Sequence, residues 1–310
     1  VGRRLGDLVR EGRGYVPAVN RRLYELIDAG WVEERVRAYD GTDDAGRWPD
    51  HPFRVSDLHR LCPRMVALAR REPIREEYRA DALWLFAAGH AYHDAIQSAL
   101  STLPGAEWRG WWQRRGSWDV PAGLAAVPGR YLTAEEERTG VVVAGPDRAP
   151  VPRPDGDEWH YVEVMYLDDA LGLRGHEDGC IWWGEGEEEG EEFKSVATFQ
   201  ADKHNPQRGG VPKEDHVIQA HGYLLLSGRK RQRVTYLVKA SGDLGMVAME
   251  HVVERDEALI GGIRQLLGEC AAARVLGPTD PLPDPLAACD KRSRKRPGKC
   301  PAKARCFECR

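Results

Sequence analysis

The stretch 191-EEFKSV-196 decides how this chain is read. It follows a run of glutamates, Glu185, Glu187, Glu188, Glu189 and Glu191, which reads as a solvated hairpin loop because clustered carboxylates repel one another. In an extended segment, residues two apart share a face, so Glu192 and Lys194 project together while Phe193 turns into the core. A carboxylate beside an ammonium is either a surface ion pair or a catalytic pair. The tripeptide alone leaves both open.

Working outward, the 310 residues suffice for one large α/β domain or for a core domain with an appendage. The net charge of -4 conceals a polarity. From Lys291 to Arg310 there are nine Lys or Arg and one acid, a net of +8, which leaves -12 on residues 1 to 290. A basic tail on an acidic body reads as a phosphate-facing patch or as a solvated extension. No run approaches the roughly 18 apolar residues of a membrane span, and the first residues hold no apolar leader core. The expectation is a soluble, cytoplasmic protein with no membrane partner.

The coarse elements come from periodicity and breakers. Residues 15 to 39 read as helical, and 40 to 52 as a polar loop that marks a boundary. This gives an N-terminal helical extension over 1–52 and a main domain over 53–310, whose segment 289–310 is basic and Cys-rich. Ser56 is a candidate N-cap, and Pro63 limits any helix running through it. Residues 81 to 100 read as a helix and 104 to 160 as loop-rich with short strands. The segment "YVEVMYLDDALGLRGHEDGCIWW" reads as strand, turn, strand, and "FKSVATF" as the next strand. "EDHVIQAHGYLLLSG" reads as a helix, "RVTYLVKA" as a strand, and a last helix follows. This order implies α/β architecture around a mixed central sheet flanked by helices.

Four motifs stand in order along it. "GHAYHDAIQ" places Gly89 and His93 on one helix face; "GHEDG" puts Asp178 before a glycine at a strand end. Glu192 and Lys194 come third, and "QAHGY" sets Gln219 and Tyr223 one turn apart on a helix. Two carboxylates from adjacent strands and one imidazole suit a hard divalent cation. A lysine two residues after a liganding glutamate can orient or help deprotonate water and offset charge on phosphorus.

Together these residues resemble the RecB-like exonucleases of the PD-(D/E)XK superfamily, which include CRISPR-associated exonucleases and AddB-type nuclease domains. "GHAYH" is similar to the G-x-x-x-H of that family, "GHEDG" to its G-x-x-D-G, "EFK" to its E-x-K and "QAHGY" to its Q-x-x-x-Y, so the resemblance spans about residues 53 to 310. It implies a restriction-endonuclease-like core and an Mg2+- or Mn2+-dependent deoxyribonuclease acting on single-stranded DNA or DNA ends. Recombination, repair, phage DNA processing or CRISPR adaptation would each suit that activity, with partners to match. It further implies that His93, Asp178, Glu192 and the Phe193 carbonyl hold metal, that Lys194 is catalytic, and that Gln219 and Tyr223 position DNA or the lysine. Glu163, ahead of the Asp178 strand, resembles a further glutamate often seen there. The alternatives are a site-specific endonuclease of the same superfamily and a non-catalytic DNA-binding or assembly module.

The family often carries a 4Fe-4S cluster on one cysteine before the histidine motif and three near the C-terminus. Cys62, Cys300, Cys306 and Cys309 fit that pattern, although "CPAKARCFEC" runs C-x5-C-x2-C, the reverse of the usual C-x2-C-x5-C. A local Zn2+ site on Cys289, Cys300, Cys306 and Cys309 is the rival, because four-cysteine sites accept loose spacing. Cys180 and Cys270 read as buried packing residues. Arg292, Arg294, Lys295 and Arg296 of the tail are candidate phosphate contacts. "EWRGWWQRRGSW" interleaves Trp108, Trp111, Trp112 and Trp118 with Arg109, Arg114 and Arg115, either as a platform for stacked bases or as core.

Overall fold

The computed structural model of the chain describes residues 52–71, 93, 96, 97, 100, 104–114, 150–153, 155, 159–196, 198–238, 248–286 and 306. The predicted helix over 15–39, the loop before it reaches Pro52 and most of the tail lie outside these residues. Of the helix predicted over 81–100, His93, Ile96, Gln97 and Leu100 are described and helical.

Among the described residues, ten strands form two sheets. The smaller has the order β1-β6-β5, from β1 (Phe53–Arg54), β6 (Leu173–Glu177) and β5 (Val164–Asp168). The larger has the order β10-β9-β8-β7-β2-β3, with β4 also on β2. Its strands are β2 (Glu107–Arg114), β3 (Val151–Pro152), β4 (Trp159–Val162), β7 (Gly179–Trp182), β8 (Glu189–Val196), β9 (Arg231–Val238) and β10 (Ala248–Glu254). The β8–β9 and β1–β6 pairs are parallel and the rest antiparallel, so both sheets are mixed. The helices are α1 (Pro63–Arg71), α2 (Thr198–His204), α3 (Glu214–Ser227) and α4 (Glu257–Arg274).

The architecture agrees with the expected mixed α/β class, and several local expectations are corrected. Ser56 is not a helix cap: it lies exposed inside a 3-10 helix, Val55–Arg60, that ends before Leu61. Pro63 opens α1, the first-turn position where its missing N–H costs nothing. The segment read as two strands holds four, because Glu163 and Asp178 each interrupt pairing where the chain crosses between sheets. β8 begins at Glu189, well inside the glutamate run, and Glu189 and Glu191 are buried. Arg231 and Arg233 from β9 reach Glu189 at 2.9 and 2.6 Å, neutralising what an isolated hairpin could not. Thr198 starts a helix instead of prolonging the strand, and β10 adds an antiparallel edge beside β9.

Two cores clamp β8. Phe193 packs with Trp108, Trp112, Ile181 and Leu237 on one face. On the other, Ala220 of α3 packs with Val196, Val234 and Tyr236. A third core joins α3, the 3-10 helix and α4, which buries Ile260, Ile263, Leu267, Cys270 and Ala273 at helical spacing. Asp256 caps α4 by accepting from the Ala258 and Leu259 amides. Among the described residues, no helix is long and apolar enough to cross a membrane.

Candidate active site

Three carboxylates line up because strand register extends past the strand ends. In the β5–β6 pair Val164 faces Glu177, so Glu163 and Asp178 come next, opposite each other. In the β7–β8 pair Gly179 faces Glu191, so Asp178 and Glu192 come next in turn. The row Glu163, Asp178, Glu192 therefore crosses the seam between the sheets. Asp178 is fixed there from several sides. Its Oδ2 accepts the Phe193 amide at 2.6 Å, and its carbonyl accepts Gln97 Nε2 at 2.9 Å. A β-carbon on the following Gly179 would overlap the Trp108 ring, so the turn rests directly on that indole.

His93 completes the cluster, with Nδ1 3.2 Å from Asp178 Oδ1. Donor atoms of His93, Glu163 and Asp178 all lie within 4.8 Å of one another. Glu192 divides its oxygens. Its Oε1 takes the Lys194 ammonium and, at 2.9 Å, the Gln219 amide. Its Oε2 is buried and, among the described residues, has no hydrogen-bond partner. Tyr223, one turn after Gln219, donates to the His176 carbonyl of β6 and so ties α3 to the strand leading into Asp178.

The electrostatics report crowding of negative charge. Burial first, then the charges of Asp178 and Glu192, push the Glu163 carboxyl up to about 8. Burial pushes Glu192 up to about 7 against the pull of Lys194, and Asp178 adds to the rise. Burial would lower the Lys194 and His93 values; neighbouring carboxylates outweigh it and raise both. Lys194 is thus an ammonium at neutral pH, suited to stabilising negative charge and unsuited to taking a proton. The surface-ion-pair reading of Glu192 and Lys194 fails on burial, since the Glu192 side chain is 4% exposed.

A buried carboxylate oxygen with no donor, beside two more carboxylates and an imidazole, is a donor set that fits a hard divalent cation. Glu163 enters this group more directly than its place in the sequence suggests. Gln97 and His216 were missed by sequence reasoning. Gln97 lies one turn after His93 in "GHAYHDAIQ", and His216 one turn before Gln219, so helical spacing from a named motif residue was the available signal. Burial, then the charges of Lys194 and Lys213, lower His216 to about 3, which leaves it a neutral acceptor or donor beside the lysine.

Other predicted residues fare differently. Trp111 and Trp112 are 6% and 1% exposed, so they fill core and offer no face for stacked bases. Trp108 is buried with them. Cys180 and Cys270 are fully buried, as packing residues should be. Cys62 and Cys306 meet in one apolar cluster with Met65, Leu68, Leu282 and Leu286. Cys289, Cys300, Cys309, Arg292, Arg294, Lys295, Arg296, Trp118 and Gly89 lie outside the described residues.

Comparison of the sequence with protein-family models and with curated proteins finds no match. Among solved structures the chain is similar to an alkaline exonuclease, LHK-Exo, from Laribacter hongkongensis, with 21% identity over 36% of this chain and 56% of that one and a TM-score of 0.31. The chain thus spans little more than half the length of that structure. LHK-Exo in complex with dAMP gives 13% identity over 74% of this chain and 90% of that one, TM-score 0.42. The protein SSO0001 gives 16% identity over 72% and 76%, TM-score 0.37.

Proposed function

We propose that this chain is a metal-dependent deoxyribonuclease of the PD-(D/E)XK type, an exonuclease that hydrolyses phosphodiester bonds on single-stranded DNA or DNA ends. The observation that carries the reading is the division of Glu192: one oxygen engaged by Lys194 and Gln219, the other buried and unpartnered beside Asp178, Glu163 and His93.

His93, Glu163, Asp178 and Glu192 Oε2 would hold Mg2+ or Mn2+, with the Phe193 carbonyl as a further ligand. Such an ion supplies Lewis-acid polarisation of a phosphoryl oxygen and a water of lowered pKa. Lys194, kept protonated by the carboxylates, offers its ammonium to negative charge growing on the phosphoryl oxygens. Gln219 keeps Glu192 Oε1 in place, so that Lys194 cannot draw the carboxylate away from the cluster. Tyr223 and Gln97 hold the two strand ends that carry Asp178. Cys62, Cys300, Cys306 and Cys309 would hold a 4Fe-4S cluster, for which the meeting of Cys62 with Cys306 is the support. Arg292, Arg294, Lys295 and Arg296 would contact DNA phosphates.

The test is digestion of single- and double-stranded DNA labelled at one end, with Mg2+ or Mn2+, following product lengths over time. Stepwise shortening from an end, abolished by EDTA and by Asp178→Asn, is the expected result. Uniform internal cuts at one sequence would make it a site-specific endonuclease. No cleavage with either ion by folded protein would remove the nuclease reading.

A further inference from the structure

The face of α3 that carries Gln219 and Tyr223 holds one more polar residue. His216, Gln219 and Tyr223 are spaced by three and four, the interval of a single helix face, and each reaches a different strand. Tyr223 donates to the His176 carbonyl of β6, Gln219 donates to Glu192 Oε1 of β8 at 2.9 Å, and His216 Nδ1 lies 2.9 Å from Tyr236 Oη of β9. Tyr236 is the register partner of Lys194 in the parallel β8–β9 pair, so both side chains leave the sheet on the α3 side. His216 therefore stands level with Lys194, one step past the Gln219–Glu192 contact.

The hydrogen bonds decide which ring nitrogen carries the proton. Tyr236 Oη accepts the Lys213 amide at 2.8 Å. The tyrosine is fully buried, stacked on His204 with ring centroids 4.5 Å apart and met edge-on by His251. A buried hydroxyl proton needs an acceptor, and His216 Nδ1 is the one within reach among the described residues. Burial first, then the charges of Lys194 and Lys213, keep the imidazole uncharged. A neutral ring that accepts at Nδ1 carries its proton on Nε2. Nε2 has no hydrogen-bond partner among the described residues, and the half-buried ring does not seal it from solvent. A histidine that only filled core would engage both nitrogens inside; this one engages one and presents the other beside the lysine.

Position decides what that N–H meets. Two residues along a strand span about 7 Å, and Cβ atoms three apart on a helix lie about 5–6 Å from each other. Both routes set the ring one such step from Glu192. The Lys194 ammonium folds back onto Glu192, so the scissile phosphate belongs at the carboxylate end. A donor one step further along meets the neighbouring phosphate.

We propose that His216 donates its Nε2–H to a non-bridging oxygen of the phosphodiester next to the scissile one, fixing the strand that Lys194 acts on. The proposal rests on the nuclease reading above and adds a residue to its substrate contacts.

The test compares the parent with His216→Asn and His216→Gln in the full chain, with circular dichroism to check folding. Asparagine places its amide where Nδ1 stood and keeps a partner for Tyr236; glutamine places its amide nitrogen where Nε2 stood. With Mn2+ and end-labelled single-stranded DNA, His216→Asn should raise KM about tenfold, the loss of one hydrogen bond to a charged group, and leave kcat unchanged. His216→Gln should restore most of that loss. A methylphosphonate at one flanking phosphate should cost the parent about tenfold more than it costs His216→Asn, because the contact it removes is already gone. Ring-nitrogen NMR shifts of the metal-free parent should show His216 protonated on Nε2 alone. A parental KM in His216→Asn, a glutamine variant as impaired as the asparagine one, equal methylphosphonate penalties, or a proton on Nδ1 would each overturn the proposal. A folded parent that cleaves nothing would instead strike the nuclease reading itself.

Discussion

At the scale of single residues, Glu192 and Lys194 should fail differently, because the proposed mechanism makes one a ligand to a cation and the other a cation itself. Glu192→Ala and Asp178→Ala should abolish Mn2+ binding, measured by calorimetry, together with cleavage. Lys194→Ala should keep metal and DNA binding while turnover falls by about a hundredfold or more, the loss expected when one group stabilising transition-state charge is removed. Full turnover in a folded Lys194→Ala protein would remove the lysine from the mechanism. The raised carboxylates make a second prediction, on stability. Glu163 and Glu191 sit at about 8 and Glu192 at about 7, above the 4.5 of a free glutamate, with burial the first cause in each. The folded metal-free protein therefore binds more protons than the unfolded chain between these values. Its stability is fullest below pH 4.5 as far as these groups are concerned, and is lost as pH rises towards 8. His93, raised as well, acts in the same sense. Urea midpoints in EDTA should fall between pH 5.5 and 8.5, and saturating Mn2+ should remove most of that fall, since metal takes the place of the protons. A flat or rising profile in EDTA would show that the carboxylates are not crowded.

At the scale of elements, the Asp178 turn depends on a buried network that no motif announces. Arg229, in the α3–β9 connection, gives Nη1 to both oxygens of Glu177 at 2.9 and 2.8 Å, and Nη2 to Tyr166 Oη and Cys180 Sγ, both at 2.8 Å. Its Nε and Nη2 also reach Glu188. Glu177, adjacent to Asp178, is fully buried, and a β-carbon on Gly190 of β8 would overlap its carboxylate. Arg229→Met strands a charge in the interior and should cost about 3–5 kcal/mol in denaturant unfolding. The double change Glu177→Leu/Arg229→Met removes both charges and should recover most of that loss; failure to recover any would mean that Arg229 acts through Glu188 instead. What the sequence made legible follows from this. α3, β9 and the Glu192–Lys194 alternation could be read because each is periodic over its own length. Glu189 and Glu191 could not, because their burial depends on Arg231 and Arg233 across β9 and on a parallel pairing far along the chain. Glu163 joins the site through register with Asp178, a relation that appears only once β5 and β6 are paired.

At the scale of the whole molecule, the two ends of the described chain close on each other. The Pro-rich segment after α4 runs back along α1, where Arg64 holds the Pro283 carbonyl at 2.9 Å and Arg71 the Asp280 carbonyl. Cys306 shares one apolar cluster with Cys62, at the head of α1, and with Met65 and Leu68. A cluster there would staple the domain shut, and its ligands can be told apart. Cys270 also lies near, its thiol pushed up to about 12 by burial first and then by Cys62, so proximity alone does not select the fourth sulfur. Protein purified without oxygen should be brown, with broad absorbance near about 400 nm from thiolate-to-iron charge transfer. Cys62→Ala should bleach it and lower the Tm, because the loop closed between Cys62 and the C-terminal cysteines is nearly the length of the domain. Cys270→Ala should keep the colour, since its thiol stays in the core that α4 shares with the 3-10 helix. Colour lost in Cys270→Ala with full retention in Cys62→Ala would exchange their roles. One zinc and no iron would replace the staple with a local site on Cys289, Cys300, Cys306 and Cys309, and Cys62→Ala would then leave the metal content unchanged.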